Sequence, residues 1–112
     1  MRDTLIKARE ILAKGQWTQG GCYAADPHGV AMNYNYADAE TCHFCMLGAL
    51  GVVNRTADIL LTETPESLAL ARALDPTADR DTTFDLVTEF NDADTTTLAD
   101  VLAVFDKAIA DA

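Results

Sequence analysis

Ten consecutive residues, Phe44-Cys45-Met46-Leu47-Gly48-Ala49-Leu50-Gly51-Val52-Val53, carry no charge and no strongly polar side chain. A helix that is apolar on every side has to be surrounded, so the segment predicts the central buried helix of the fold. Asp38 or Thr41 is expected to cap it, and Asn54 to end it. Its face would carry Cys42, Cys45, Met46, Ala49 and Val53. Gly48 and Gly51 each lower helix propensity by about 1 kcal/mol relative to Ala, so they are expected where another backbone comes close. If the chain's own elements leave this helix partly bare, a second copy has to cover it, which makes a self-associating structural protein one reading.

The rest of the pattern is helical. Asp3 is a candidate cap for a helix running to about Lys14, with Leu5, Ala8, Ile11 and Leu12 on one side and Gly15 as the stop. Thr64-Pro65 and Asp75-Pro76 bracket another helix, with Pro at its first position. Asp81 is expected to start a short helix holding Phe84, Leu86, Val87 and Phe90. Thr97 and Asp100 form a capping-box pattern before Leu98, Val101, Leu102, Phe105, Ala108 and Ile109. Trp17 to Gly21 reads as a loop anchored through Trp17, and Asp26-Pro27-His28-Gly29 as the turn of a small β-hairpin. The expected fold is mainly α: a single compact domain over residues 1–112, with about five helices and a small β-hairpin near residues 21–33.

Charge is distributed unevenly. Residues 1–55 hold five acids and five bases, while residues 56–112 hold 13 acids against Arg72, Arg80 and Lys107, so the net charge of −10 lies wholly in the second half. Such a field repels nucleic-acid phosphates and anionic membranes and attracts basic proteins. No apolar run approaches the ~18 residues of a membrane span, and the charged N-terminal stretch does not resemble an export signal. A cytoplasmic chain with reduced thiols is expected, since three cysteines do not make a disulfide framework.

Cys22, His28, Cys42, His43 and Cys45 are the residues with the most chemical potential. Cys22, His28, Cys42 and Cys45 match the donor set of a tetrahedral zinc site, although a single C-x-x-C pair is a weak signal. Cys45 with His28 and Asn91 can be drawn as a nucleophile, base and orienting group, which would make a cysteine-dependent enzyme or a small-ligand pocket. The simpler reading makes Cys45 a small apolar core residue. Asn91-Asp92-Ala93-Asp94 is too short for a calcium loop and reads as helix capping, with Asn91 in a left-handed turn. Neither a phosphate-cradling glycine loop nor a serine elbow is present.

The runs Gln16-Trp17-Thr18-Gln19-Gly20, Tyr23-Ala24, Phe44-Cys45, Leu47-Gly48-Ala49-Leu50 and Phe90-Asn91-Asp92 resemble a family of small proteins of unknown function from actinobacterial and phage genomes. Thr97, Val101, Asp106, Lys107, Ala108 and Ile109 extend that resemblance over most of the chain. Phe44 stands where the family more often has Trp, and Cys22, His28 and Cys42 fall outside its pattern. The resemblance implies a shared fold and a site, if there is one, where Trp17, Gln19, Tyr23, Cys45, Asn91 and Asp92 meet. No cofactor is expected. Combined with the charge, the expected function is an acidic protein-binding module whose carboxylates are Asp75, Asp79, Asp81, Asp85, Glu89, Asp92 and Asp94. Its concrete form is a phage-encoded, anti-CRISPR-like inhibitor that occupies the phosphate groove of a basic, nucleic-acid-binding host protein. The alternatives are the Cys45 pocket and a zinc-stabilised module.

Overall fold

The helix that the apolar run demands lies in the middle of the molecule. A computed structural model describes residues 1–55 and 58–112. The elements are α1 (Arg2–Ala13), β1 (Ala24–Ala25), β2 (Ala31–Met32), β3 (His43–Phe44), α2 (Met46–Asn54), α3 (Asp58–Leu61), α4 (Pro65–Leu74), α5 (Arg80–Asp92) and α6 (Leu98–Asp111), with a 3-10 turn at Tyr34–Tyr36. Every residue of α2 from Met46 to Val52 is buried. Its neighbours are α1, α3, α4, α5, β3 and the 3-10 turn, so the chain covers this helix itself and needs no second copy to do so.

The remaining helices close around that core along their apolar stripes. α1 buries Leu5, Ala8 and Leu12, and α6 buries Val101, Phe105 and Ala108. α1 packs on α2 and α6, while α4 packs on α5 and α6. Arg9 and Asp106 add an exposed ion pair at 2.6 Å between the first and last helices, worth at most about 1 kcal/mol in solvent. Thr64 caps α4 through the Ser67 amide, and Asp75 follows its last turn. Thr97 and Asp100 form the expected reciprocal box at the start of α6. No helix among the described residues is long and apolar enough to cross a membrane.

Several element boundaries depart from the sequence reading for identifiable reasons. The second helix starts at Met46, not near Asp38 or Thr41, because His43–Phe44 pairs with β1 as a strand and Cys45 becomes the N-cap. Asp38 instead folds its side chain onto the Glu40 amide. The helix continues through Asn54 and ends on Arg55, whose backbone is left-handed at φ 52°. The Arg55 guanidinium donates to the carbonyls of Tyr34, Asn35 and Ala37, clamping the 3-10 turn. Asp79, not Asp81, caps α5, in a box whose second partner is Thr82. Asp3 makes no cap; α1 begins on Met1 without a side-chain bond.

The hairpin expected near residues 21–33 is present and forms part of a three-stranded antiparallel sheet ordered β2-β1-β3. Ala24 pairs with Met32 on one side and Phe44 on the other. Asp26 shapes the turn by accepting the amides of His28 and Val30. The Val30 bond is the main reason the Asp26 carboxyl sits below its ordinary 3.8. Gln16 and Thr18 extend the sheet beyond β3. Phe44 donates its amide to the Gln16 carbonyl, and the Phe44 carbonyl accepts the Thr18 amide.

The two glycines of α2 are explained by what touches them. A methyl at Gly48 would overlap the Tyr23 carbonyl oxygen, whereas one at Gly51 would stand 2.6 Å from the Tyr34 ring. Close approach at Gly48 is therefore to backbone, and at Gly51 to an aromatic side chain. Replacing Gly48 with Ala is expected to cost about 3 kcal/mol or more, because the sheet cannot yield. Gly51→Ala should cost about 1–3 kcal/mol, because the buried Tyr34 ring has only its own rotation to give. Urea unfolding of both variants checks the order, and a Gly48→Ala protein as stable as wild type would contradict this packing.

Candidate functional site

Loop 16–21, the start of α2 and the end of α5 meet at one side chain. Asn91 is 1% exposed. Its Oδ1 accepts the Trp17 indole N–H at 2.8 Å and the Met46 amide at 3.1 Å. Its Nδ2 donates to the Thr18 carbonyl at 3.0 Å and to Asp92 Oδ1 at 2.9 Å. Two acceptances and two donations use the full capacity of a carboxamide. Gln19 reinforces the junction by donating to the carbonyls of Asn91 and Ala93, and Asp92 Oδ1 accepts the Gly20 amide at 3.1 Å. Asn91 is thus a helical residue buried by its contacts, and not the left-handed cap expected from sequence.

Cys45 sits beside this junction. Its amide donates to the Tyr23 carbonyl, and its sulfur accepts the Gly48 amide at 3.3 Å as the N-cap of α2. A helix N-terminus lowers a thiol pKa, but removal from water raises it, and here the second effect is larger. Burial pushes the thiol from its ordinary 9.0 up to about 12; the amides of Gly48 and Leu47 pull the other way, and Asp92 and Cys22 add to the rise. Burial thus opposes the thiolate that nucleophilic chemistry would need.

Tyr23, Cys45, Leu47, Phe84, Thr88 and Asp92 are among the residues around a mainly apolar cavity of about 140 Å³, with Cys22 and Met46 completing part of its wall. Among the described residues, no histidine or basic side chain lines it. Val87 and Asn91 form its floor from α5, on the buried stripe Thr83, Val87 and Asn91. Phe84, expected in the core, is 44% exposed because that stripe displaces it outward. The spacing of Thr83, Val87 and Asn91 at i, i+4 and i+8 was the available sequence signal, masked by the polarity of two of them.

The six positions implied by the resemblance therefore come together: Trp17, Gln19, Asn91 and Asp92 through hydrogen bonds, and Tyr23 and Cys45 at the cavity. The other constellations do not. His28 is exposed on the hairpin turn and absent from the cavity lining, so a Cys45, His28 and Asn91 triad has no base in place. Asn91 also has no bond left with which to orient one. Cys22, His28, Cys42 and Cys45 do not form a zinc set; no three His, Cys, Asp or Glu among the described residues are grouped to hold a metal. The Cys42 sulfur instead meets the Met32 sulfur at 3.7 Å under the hairpin.

The carboxylates separate into two groups. Asp81, Asp85 and Glu89 are exposed at four-residue intervals on α5, and Asp92 lies three residues further. At 3.6 residues per turn these four fall within an arc of about 80°. Asp79 is committed to its cap, and Asp75 to the Thr77 amide and hydroxyl; the Thr77 amide chiefly holds its carboxyl below the ordinary 3.8. Asp94 is exposed beyond the helix end. Arg80 pairs with Glu63 at 3.3 Å, and no ion pair among the described residues involves Asp81, Asp85 or Glu89.

A family model described as a family of unknown function, DUF6197, matches residues 1–111, and the chain belongs to that family. No curated protein and no solved structure matches it.

Two measurements test this site. Asn91→Ala leaves the Trp17 N–H, the Met46 amide and the Thr18 carbonyl short of a partner, so a loss of about 3–5 kcal/mol is expected in denaturant unfolding. For Cys45, the folded thiol keeps its proton above the pH at which the unfolded thiol releases it. The Cys45 contribution to stability is therefore constant well below pH 9.0 and falls as the pH rises toward about 12, by up to about 1.4 kcal/mol per pH unit. Cys45→Ser, which keeps a capping atom and does not titrate in this range, should remove that slope. An equal slope in both proteins would assign it to other groups.

Proposed function

We propose that this member of the family is a small acidic protein-binding module, and that the outward side of α5 is its docking face. The supporting observation is the exposed row of Asp81, Asp85 and Glu89, unpaired among the described residues, running beside the exposed Phe84 ring. Successive carboxylates in the row rise about 6 Å along the helix axis. An exposed aromatic ring supplies the desolvated anchor that interfaces concentrate their energy on, and the charges supply steering and register. The partner is a basic protein. Nucleic acid itself is excluded from the face by charge repulsion.

The competing readings have weaker support. A cavity of about 140 Å³ is below the roughly 300–1,000 Å³ of small-ligand pockets. A thiol with its pKa near 12 and no base beside it does not favour cysteine-dependent chemistry. The narrower form of the proposal is a phage-encoded inhibitor whose carboxylates occupy the phosphate groove of a nucleic-acid-binding host defence protein.

The triple variant Asp81→Asn, Asp85→Asn, Glu89→Gln tests the docking face. It should unfold at about the same denaturant concentration as wild type, since relief of like-charge repulsion along the helix face offsets the loss of the Asp81 charge from the first turn. Its affinity for an arginine-rich helical peptide, measured by calorimetry, should drop at least tenfold at low ionic strength, where the Debye length is long. Raising the salt should weaken wild type toward the variant. Equal binding by the two proteins at low salt would overturn the proposal.

A further inference from the structure

The cavity beside Phe84 has the size of one side chain, and among the described residues Asp92 is the only charged one that lines it. At about 140 Å³ it is comparable to the ~150 Å³ engineered cavity that admits a benzene ring. Tyr23, Leu47, Phe84 and Val87 provide apolar wall for a hydrocarbon stem. Asp92 then decides the head group. Its Oδ1 is occupied by the Gly20 amide at 3.1 Å and the Asn91 Nδ2 at 2.9 Å, while Oδ2 takes no hydrogen bond from any described residue. A carboxylate with a single open oxygen cannot meet an arginine fork in the two-bond geometry that favours guanidinium. It suits a compact ammonium, which the exposed Phe84 face also attracts.

We propose that this cavity receives one lysine side chain of the basic partner, its methylene stem against Tyr23, Leu47 and Val87 and its ammonium on Asp92 Oδ2. This rests on the reading of α5 as the docking face and adds the residue that face selects. The field of Asp81, Asp85 and Glu89 collects basic chains of either kind, and the cavity distinguishes lysine among them.

A set of pentapeptides, Gly-Arg-Xaa-Arg-Gly with lysine, arginine, norleucine or alanine at Xaa, separates the two claims. Binding is followed by amide chemical shifts of the intact protein. The lysine peptide should bind about tenfold more tightly than the alanine one and several-fold more tightly than arginine or norleucine, and it should shift Leu47 and Thr88. Asp92→Asn, which retains an oxygen for Gly20 and Asn91, should bring the four peptides to similar affinity. Thr88→Met, which fills the cavity and leaves every carboxylate in place, should do the same; unchanged Trp17 fluorescence certifies the fold of both. The triple variant of the acidic row should weaken all four peptides while keeping lysine first. Equal, salt-sensitive binding of all four to wild type, or norleucine matching lysine, would overturn the lysine pocket and leave the docking face standing. Failure of every peptide to bind would overturn both.

Discussion

A single carboxamide holds the three parts of this fold in register. Asn91 joins the last turn of α5 to the first amide of α2 and to the loop that carries Trp17. Each of those groups is partly or fully removed from water, where an unmade hydrogen bond costs about 1–3 kcal/mol. Placing all four bonds on one rigid amide leaves the junction a single geometry. The Trp17 loop is then pinned from the other side by Gln16, whose side chain donates to the carbonyls of Ala39 and Cys42. The sheet, the central helix and the cavity inherit their positions from this arrangement.

The two sides of α5 differ in what they meet. Thr83, Val87 and Asn91 face inward, while Asp81, Asp85 and Glu89 face water. Asp92 stands at the edge between them: one oxygen is held in the hydrogen-bonded junction, and the other takes no hydrogen bond from any described residue. In the proposed docking, rigid support beneath the exposed row would limit the side-chain and backbone entropy lost. Cys45 also contributes as structure. Its sulfur caps α2, and its burial keeps the proton on, so the reactivity that a helix-start cysteine suggests is suppressed by the surroundings that give it a capping role.

Local rules made much of this legible in the sequence. Thr64-Pro65, the Thr97 and Asp100 pair, and the i, i+3, i+7 stripe of Leu5, Ala8 and Leu12 each encode their element within a few residues, and the structure follows them. Most of what failed was decided at a distance. β3 is two residues long and merges with the apolar run after it; its pairing with Ala24 and Ala25 on one side and with Gln16 and Thr18 on the other makes it a strand. Asp79 outcompetes Asp81 as a cap through Thr82, an unusual partner for a capping box. Asn91 looked like punctuation because asparagine is common at helix ends, and nothing local announces partners 45 and 74 residues away. The junction residues were visible as a set only through the family resemblance, which needs no geometry.

The contact between Gly48 and the Tyr23 carbonyl has a consequence for how the molecule breathes. With its third residue pressed against a strand end, α2 cannot fray from its start without parting from the sheet. Amide hydrogens of the central helix and of β1 and β3 are therefore bound into one cooperative opening unit, exchanging with solvent together. α6 reaches that unit by another route: it begins on its own capping box and lays its buried stripe on α1 and α4.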